Sequence, residues 1–377
     1  MNRIDTEIKI IEQKSFNELM DYSRKKNYLK FLNSFSVNTL NLKKLKNFVI
    51  ACVEEENLVT KLNSKPYKII VDPTNACNLG CPLCPTGLGK SERVKKVLGL
   101  EAFKKIIDQV KEFAIEVHLY NWGEPTLNKK LIEMLKYCEK NNLWTRISTN
   151  LSRSFKTGYI EDLLNSGLNL LHVDVDGLDQ EVYSKYRRKG DISLVYKNLE
   201  IIKKIKKDKN LKKPIIELSM LAMRQNEHQH NEFLNLKEKF GADVIKIDKI
   251  QHNPNMDEQW LPENKSLVYR TYDRGESKST SAREGEKVPC HWPWSGIVVN
   301  SDGSINPCCI IDDPKSDFDN LENNNIYNIW NSEEYVSARS EFGDKKEITK
   351  NTICNICKNE THSKRLNRVS KSFAIKI

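Results

Sequence analysis

The sequence predicts an α/β protein built on parallel strands, a βα barrel or an open version of one, and three observations carry that expectation. Between residues 67 and 250, six strand-like segments alternate with amphipathic helical ones. Several of these strands alternate polar and apolar residues with period two, the signature of a sheet with two chemically different faces. On either side lie a helical N-terminal stretch and a small C-terminal segment rich in cysteine.

Residues 1–64 read as a helical extension, because IKIIEQKSFNELMDYSRKK and LKKLKNFVIACVEEENLVTKL repeat apolar residues at i, i+3 and i+4. Residues 65–250 form the alternating core. Its expected strands are YKIIVD (67–72), IEVHLYNW (115–122), WTRISTN (144–150), LLHVDVD (170–176), IIELSML (215–221) and DVIKIDKI (243–250). Between them, EAFKKIIDQVKEF (101–113), KKLIEMLKYCEKNN (129–142) and HNEFLNLKEKF (230–240) have helical periodicity. Residues 251–287 lose all periodicity and read as a linker or active-site loop. Residues 288–363 hold the later cysteines, and 364–377 form a basic tail.

The strand alternation predicts a site. His118, Tyr120 and Trp122 alternate with Val117 and Leu119, and His172, Asp174 and Asp176 with Leu171, Val173 and Val175. Glu217 and Ser219 oppose Ile216 and Leu218, while Lys246 and Asp248 oppose Ile245 and Ile247. A closed, fully packed barrel would exclude so many polar groups, so the polar face is expected to wall an aqueous or ligand-filled cavity.

Composition narrows the class. Of 377 residues, 38% are hydrophobic and 30% charged, enough for a core under a very polar surface. The net charge of +10 comes from lysines scattered along helices among Glu and Asn, without the Arg-rich blocks of a nucleic-acid binder. No stretch reaches the roughly 18–20 apolar residues that cross a bilayer. The N-terminal MNRIDTEIKIIEQK has no apolar secretory segment, so the expectation is a soluble cytoplasmic protein without a membrane partner.

The ten cysteines are therefore not expected to form a disulfide framework. Cys77, Cys81 and Cys84 make one tight group; Cys308, Cys309, Cys354 and Cys357, with Cys290, make a second. Grouped thiols in a reducing compartment point to metal. Cys52 and Cys138 fall in apolar helical patterns and read as inert core. The first group is Cys77-x3-Cys81-x2-Cys84 in a loop rich in Asn, Gly and Pro. Three thiolates with no fourth nearby suit a cubane that keeps one iron open, rather than a four-ligand zinc site.

In this loop the chain resembles the radical S-adenosylmethionine (SAM) superfamily, whose CxxxCxxC loop follows the first strand of a partial (β/α)6 TIM-like barrel. The resemblance spans residues 66 to about 250. Trp122-Gly123-Glu124-Pro125 looks like the element whose backbone and Glu meet the SAM amino group. Ser148-Thr149-Asn150 stands where the family contacts ribose and methionine. Asp174-Val175-Asp176-Gly177 resembles a motif in which a serine often binds SAM, here replaced by Asp174. Arg187 matches the arginine that pairs with the SAM carboxylate, and Leu83 replaces a frequent aromatic. The resemblance implies reductive cleavage of SAM to a 5′-deoxyadenosyl radical, which abstracts hydrogen from an unactivated C–H. It also implies an external electron donor such as a flavodoxin or ferredoxin.

The second group has Cys290-x12-Gly303-x4-Cys308 and Cys354-x2-Cys357, with an Asp302-Gly303 hairpin turn between its first two cysteines. By spacing alone, structural zinc and a complete [4Fe–4S] cluster fit equally. In this context the segment resembles a SPASM domain, and the absence of further cysteines suggests its shortened Twitch form with one auxiliary cluster. Overall spacing is similar to sugar-modifying members of the superfamily, the aminocyclitol dehydrogenase of butirosin biosynthesis among them.

The implied cofactors are two [4Fe–4S] clusters and SAM. The implied reaction is oxidation of a hydroxyl-bearing small molecule, such as a sugar or cyclitol, with Lys246, Asp248 or His252 as base. The alternatives are a sugar epimerase that uses a thiol, for which Cys309 is the candidate, a peptide-modifying maturase, and a zinc-containing RNA-binding protein.

Overall fold

A computed structural model describes residues 3–252, 257–270, 290–343 and 349–354. The N-terminal extension folds as α1 (Arg3–Gln13), α2 (Phe16–Lys25) and α3 (Leu42–Glu56). The first two separate at Ser15, whose hydroxyl caps Glu18 N while the Glu18 carboxylate accepts from Ser15 N at 2.8 Å. This capping box starts a new helix where periodicity alone suggests one run. The three helices bury Ile8, Ile11, Leu19, Phe48, Val49 and Cys52 in a core of their own, shared with Tyr67 and Ile115.

Tyr67 and Ile115 adjoin the first two strands, so the extension packs on the N-terminal end of the sheet. There Glu116 is buried and accepts from Asn33 N (2.6 Å) and Ser36 Oγ (2.8 Å), with Lys68 Nζ at 3.6 Å. Burial opposes its ionisation, but Lys68 and His118 more than offset this and hold the carboxyl below its usual range.

The core runs β1 (Lys68–Val71), α4 (Pro85–Leu88), α5 (Leu100–Val110), β2 (Glu116–His118), α6 (Leu131–Lys140) and β3 (Trp144–Thr149). It continues with α7 (Tyr159–Leu164), β4 (Leu170–Asp174), α8 (Gln180–Tyr186), α9 (Ile192–Asp208), β5 (Ile215–Leu221), α10 (His230–Leu234), α11 (Leu236–Phe240) and β6 (Val244–Asp248). Neighbouring strands from β1 to β6 are all parallel and pair in chain order. Val117, Leu171, Val173, Ile216 and Leu218 lie in the core under the helices, as the alternation predicts. The second strand is shorter than expected, because residues after His118 turn away, and the expected helix over 230–240 divides at Asn235.

Residues 251–287, expected as a linker or active-site loop, carry a short pair of strands. β7 (Ile250–His252) pairs in parallel with β8 (Val268–Arg270), and Leu261 and Val268 are buried. The rest of the segment, 253–256 and 271–289, lies outside the described residues. The C-terminal part then forms α12 (Trp292–Ser295), β9 (Gly296–Val299), β10 (Ser304–Asn306), β11 (Asp319–Asn320), α13 (Ile326–Trp330) and α14 (Glu333–Ser340). β9 and β10 are antiparallel, turning at Asp302-Gly303 with Gly303 at φ 88°.

β9 also pairs in parallel with β1, from Lys68↔Gly296 to Val71↔Val299, giving the sheet order β11-β10-β9-β1-β2-β3-β4-β5-β6. With that edge of β1 taken, β6 cannot close on it, and the barrel stays open. The close approach needs a glycine: a Cβ on Gly296 would lie 2.3 Å from Lys68 O.

Arg339 joins the C-terminal part to the chain that precedes β1. It is fully buried and donates to Pro293 O (2.8 Å), Thr60 O (3.0 Å), Trp330 O (2.8 Å) and Asn331 Oδ1 (3.2 Å), with its guanidinium over Trp330 and Tyr335. Burial pulls its pKa down to about 9. An Arg339→Met variant should unfold about 3–5 kcal/mol more easily in urea, since several buried acceptors lose a charged donor. Lys should not rescue it, having no planar fork to reach all four.

Candidate active site

The polar face of the sheet carries a connected lattice of charge. His172 Nδ1 lies 2.6 Å from Glu217 Oε1, and Arg146 Nη2 donates to the same oxygen at 2.9 Å. His172 Nε2 is 3.2 Å from Asp174 Oδ1, and Ser148 Oγ donates to Asp174 Oδ2 at 3.2 Å. Arg187 bonds Asp176 through Nε (2.5 Å) and approaches Asp174 through Nη2 (3.3 Å). At the far end, Lys246 Nζ sits 3.5 Å from Glu217 and 3.0 Å from Asp248, whose carboxylate also accepts from Ser219 Oγ at 2.6 Å.

These pairings decide which groups ionise. Burial raises the Glu217 carboxyl, but the His172 hydrogen bond with Arg146 and Lys246 brings it down to about 2. Asp174 likewise falls below its usual range, Arg187 and His172 outweighing burial. Asp176 moves up instead, because burial and the nearby Asp174 charge outweigh Arg187. Arg146, a central member, is absent from the predicted site. Its own strand masks it, since Thr145 and Thr149 are polar yet buried on the helix side.

Of the expected bases, Lys246 and Asp248 stand together on this face, and Asp248 is 42% exposed at the end of β6. His252 lies beyond them on β7, and its side chain is outside the described residues.

The first cysteine loop leaves β1 toward the same end. Cys77, Cys81 and Cys84 are close enough to interact electrostatically, and Leu79 N points at Cys77 Sγ from 3.4 Å. Burial pushes the Cys77 thiol up to about 12 and Cys81 to about 11, with Arg187 opposing the latter. Such thiols lose their protons to a metal rather than to water. Among the described residues, no trio of His, Cys, Asp or Glu closes around a single ion. The donor set, thiols alone, each available to a different iron, fits a cluster cage.

Gly123 packs against this loop so tightly that a Cβ there would sit 1.6 Å from Thr74 O, and Glu124 N donates to Ala76 O at 2.8 Å. The Glu124 carboxylate is buried and accepts from Thr126 N (3.1 Å), Thr126 Oγ1 (2.7 Å), Thr149 Oγ1 (2.8 Å) and Asn150 N (2.9 Å). This Glu, which the resemblance places against the SAM amino group, ties the loop after β2 to the end of β3. Asn150 links back, with Nδ2 on Asn78 Oδ1 (3.0 Å) and 3.9 Å from Cys77 Sγ.

The second group also assembles. Cys290 precedes α12 and Cys308 follows β10; Cys308 interacts electrostatically with Cys290, Cys309 and Cys354. Ile70, Trp292 and Val298 pack around Cys290, Cys308 and Cys309. Burial raises the Cys308 thiol strongly and Cys354 to about 12. Cys357 lies outside the described residues. Cys309 lies within electrostatic range of Tyr120, whose ring sits under the Arg146 guanidinium at 5.8 Å. The Asn121 side-chain amide donates to Cys309 O at 3.2 Å, and Trp122 Nε1 to Ile311 O at 3.4 Å. Cys52 and Cys138 are buried in apolar cores, as expected.

The Gly123 contact yields a matched pair of variants. Gly123→Ala should lower stability by about 1–3 kcal/mol or more, because two backbones must separate. Gly99→Ala, whose Cβ meets nothing within 4 Å, should stay within about 1 kcal/mol of the parent by thermal or urea unfolding.

Residues 71–236 match the family model described as "Radical SAM superfamily", and residues 290–358 that described as "SPASM", an iron-sulfur cluster-binding domain. The "PqqA peptide cyclase" of Bradyrhizobium diazoefficiens is 24% identical over 53% of this chain and 50% of its own length. A "GTP 3′,8-cyclase" of Clostridium botulinum is 24% identical over 51% of this chain and 59% of its own. The chain thus spans about half the length of the curated relatives it matches. Streptococcus suis SuiB superposes with a TM-score of 0.60 at 16% identity, over 78% of this chain and 72% of that one. Two domain matches in the expected order, on the segments that carry the two cysteine groups, show that the chain carries a radical SAM domain followed by a SPASM domain, domains whose cofactors are SAM and [4Fe–4S] clusters.

Proposed function

We propose that this chain oxidises a hydroxyl-bearing small molecule, such as a sugar or cyclitol, to a carbonyl compound. The observation that carries the reading is the charged inner face of the sheet, where Glu217, Lys246 and Asp248 form a connected chain of charge. Such a surface offers donors and acceptors for several hydroxyls and little apolar area for a lipid or an apolar side chain.

When bound, SAM and the first cluster would supply the hydrogen-abstracting radical, and an auxiliary cluster would be the sink for the substrate's second electron. In this reading Cys77, Cys81 and Cys84 ligate the first cluster; Cys290, Cys308, Cys354 and Cys357 ligate the second. The Gly123 backbone and Arg187 receive the amino-acid end of SAM, with Ser148, Asn150 and Asp174 beside it. Asp248 takes the hydroxyl proton, oriented by Ser219 Oγ and Lys246 Nζ at 2.6 and 3.0 Å. The N-terminal extension supports a small substrate over a peptide, since its contacts with Glu116 and Lys68 lie at the opposite end of the strands.

A second reading, epimerisation, is favoured by one observation, the Cys309 thiol within electrostatic range of Tyr120 on the inner face. Mass spectrometry of the product formed in heavy water separates the two. Dehydrogenation gives a carbonyl compound lighter by two hydrogens; a product that keeps its alcohol and gains one deuterium contradicts it. Asp248→Asn should lower the oxidation rate by about 10²–10⁴-fold. Cys309→Ala should still oxidise.

A further inference from the structure

Just past the ends of β1 and β9, four buried polar atoms have no hydrogen-bond partner among the described residues: Asp72 Oδ1, Arg93 Nε, Asn300 Oδ1 and Asp312 Oδ1. Strand register brings two of them together. Ile70 pairs with Val298 and Val71 with Val299, and Asp72 N donates to Val299 O at 2.9 Å, so Asp72 and Asn300 follow side by side. Ile70 and Val298 pack together on the inner face, and the period of two returns Asp72 and Asn300 to it. Asp72 is 1% exposed and Asn300 2%. Asn300 Nδ2 donates to Ser304 Oγ (3.1 Å), which also accepts from Arg93 Nη1 (3.0 Å). Asp72 in turn lies within electrostatic range of Arg93 and Asp312.

Charge is unbalanced at this point. Both Nη atoms of Arg93 donate to Asp317 (2.8 and 2.5 Å), and Nη1 is 3.8 Å from Asp302 Oδ2. Its Nε stays 3.9 Å from Asp312 Oδ1, beyond hydrogen-bond reach. One guanidinium therefore faces four carboxylates. Burial pushes the Asp72 carboxyl up to about 7 against the amides of Gly123 and Trp122, and the Asp312 charge adds to the rise. A water molecule has two hydrogens for three acceptor oxygens and brings no charge to offset theirs.

We propose that Asp72 Oδ1, Asn300 Oδ1 and Asp312 Oδ1 bind a monovalent cation, sodium or potassium. Donors that are all oxygen suit a hard cation. Two carboxylates and one amide, with a guanidinium alongside, favour one positive charge over two. The ion joins three segments distant in sequence: the end of β1, the end of β9 and the chain after β10. Through Asp72 it also steadies the Trp122-Gly123 backbone, whose amides face that carboxyl.

The test uses the full chain with its clusters reconstituted, unfolded by heat at fixed ionic strength in sodium, potassium or choline chloride. Sodium or potassium, at about ten times its dissociation constant, should raise the midpoint by about 2–4 °C over choline. Asp312→Asn and Asp72→Asn should each abolish that difference. In choline neither variant should unfold below the parent, because each loses a buried carboxylate that lacks a counter-ion. The parent should broaden the sodium NMR line, potassium should reverse the broadening, and neither variant should cause it. Equal midpoints in the three salts overturn the proposal. If stability then rises as pH falls through about 7, Asp72 holds a proton in place of the ion, since a raised carboxyl favours the folded state below its own pKa. A midpoint that responds to calcium and to neither monovalent ion also overturns it. So does a variant that keeps the parent's full difference between potassium and choline, because the ion then binds elsewhere.

Discussion

The parallel pairing of β9 with β1 is the constraint on which the rest of the arrangement depends. Each edge of a strand can be hydrogen-bonded once, so giving that edge of β1 to the C-terminal hairpin prevents closure of the barrel. It also fixes where the two cysteine groups lie. The first loop leaves the C-terminal end of β1, and Asp72 N, just past that end, donates to Val299 O at the end of β9. Cys290 precedes β9, and Cys308 and Cys309 follow its antiparallel partner β10, so the second group gathers at the open end of the hairpin, beside Ile70 and Val298, while the first loop leaves the other end of β1. Gly296, without a side chain, lets the two backbones meet.

Around this frame, buried charge is matched rather than avoided. Glu217, Asp174 and Asp176 would be costly alone inside a protein, and each faces Arg146, Arg187, Lys246 or a backbone amide. The arrangement holds the polar side chains in place before any ligand arrives, which lowers the reorganisation a reaction would require. Glu124 acts in the same way at the first cysteine loop, where four donors on one carboxylate lock Thr126, Thr149 and Asn150 together.

Much of this was legible in the sequence, because it depends on local patterns. Period-two alternation located the strands and their polar face, and cysteine spacing located both loops. β2 ended early because Trp122 and Gly123 must turn to reach Thr74, a contact no local pattern announces. α9 was not read, although Asp191 caps it and Ile192, Val195, Leu199 and Ile202 mark its buried face. Arg146 was missed because buried threonines blur the alternation of its strand. The meeting of Cys309 with Tyr120, and the role of β9 as a neighbour of β1, depend on chain segments far apart in sequence.

The central claim is that both cysteine groups hold iron–sulfur clusters. Metal analysis of anaerobically purified and reconstituted protein tests it most directly. Two [4Fe–4S] clusters require about eight irons per chain and essentially no zinc. About four irons with one zinc would contradict the claim, because the C-terminal thiols would then hold a structural ion with no electron to accept.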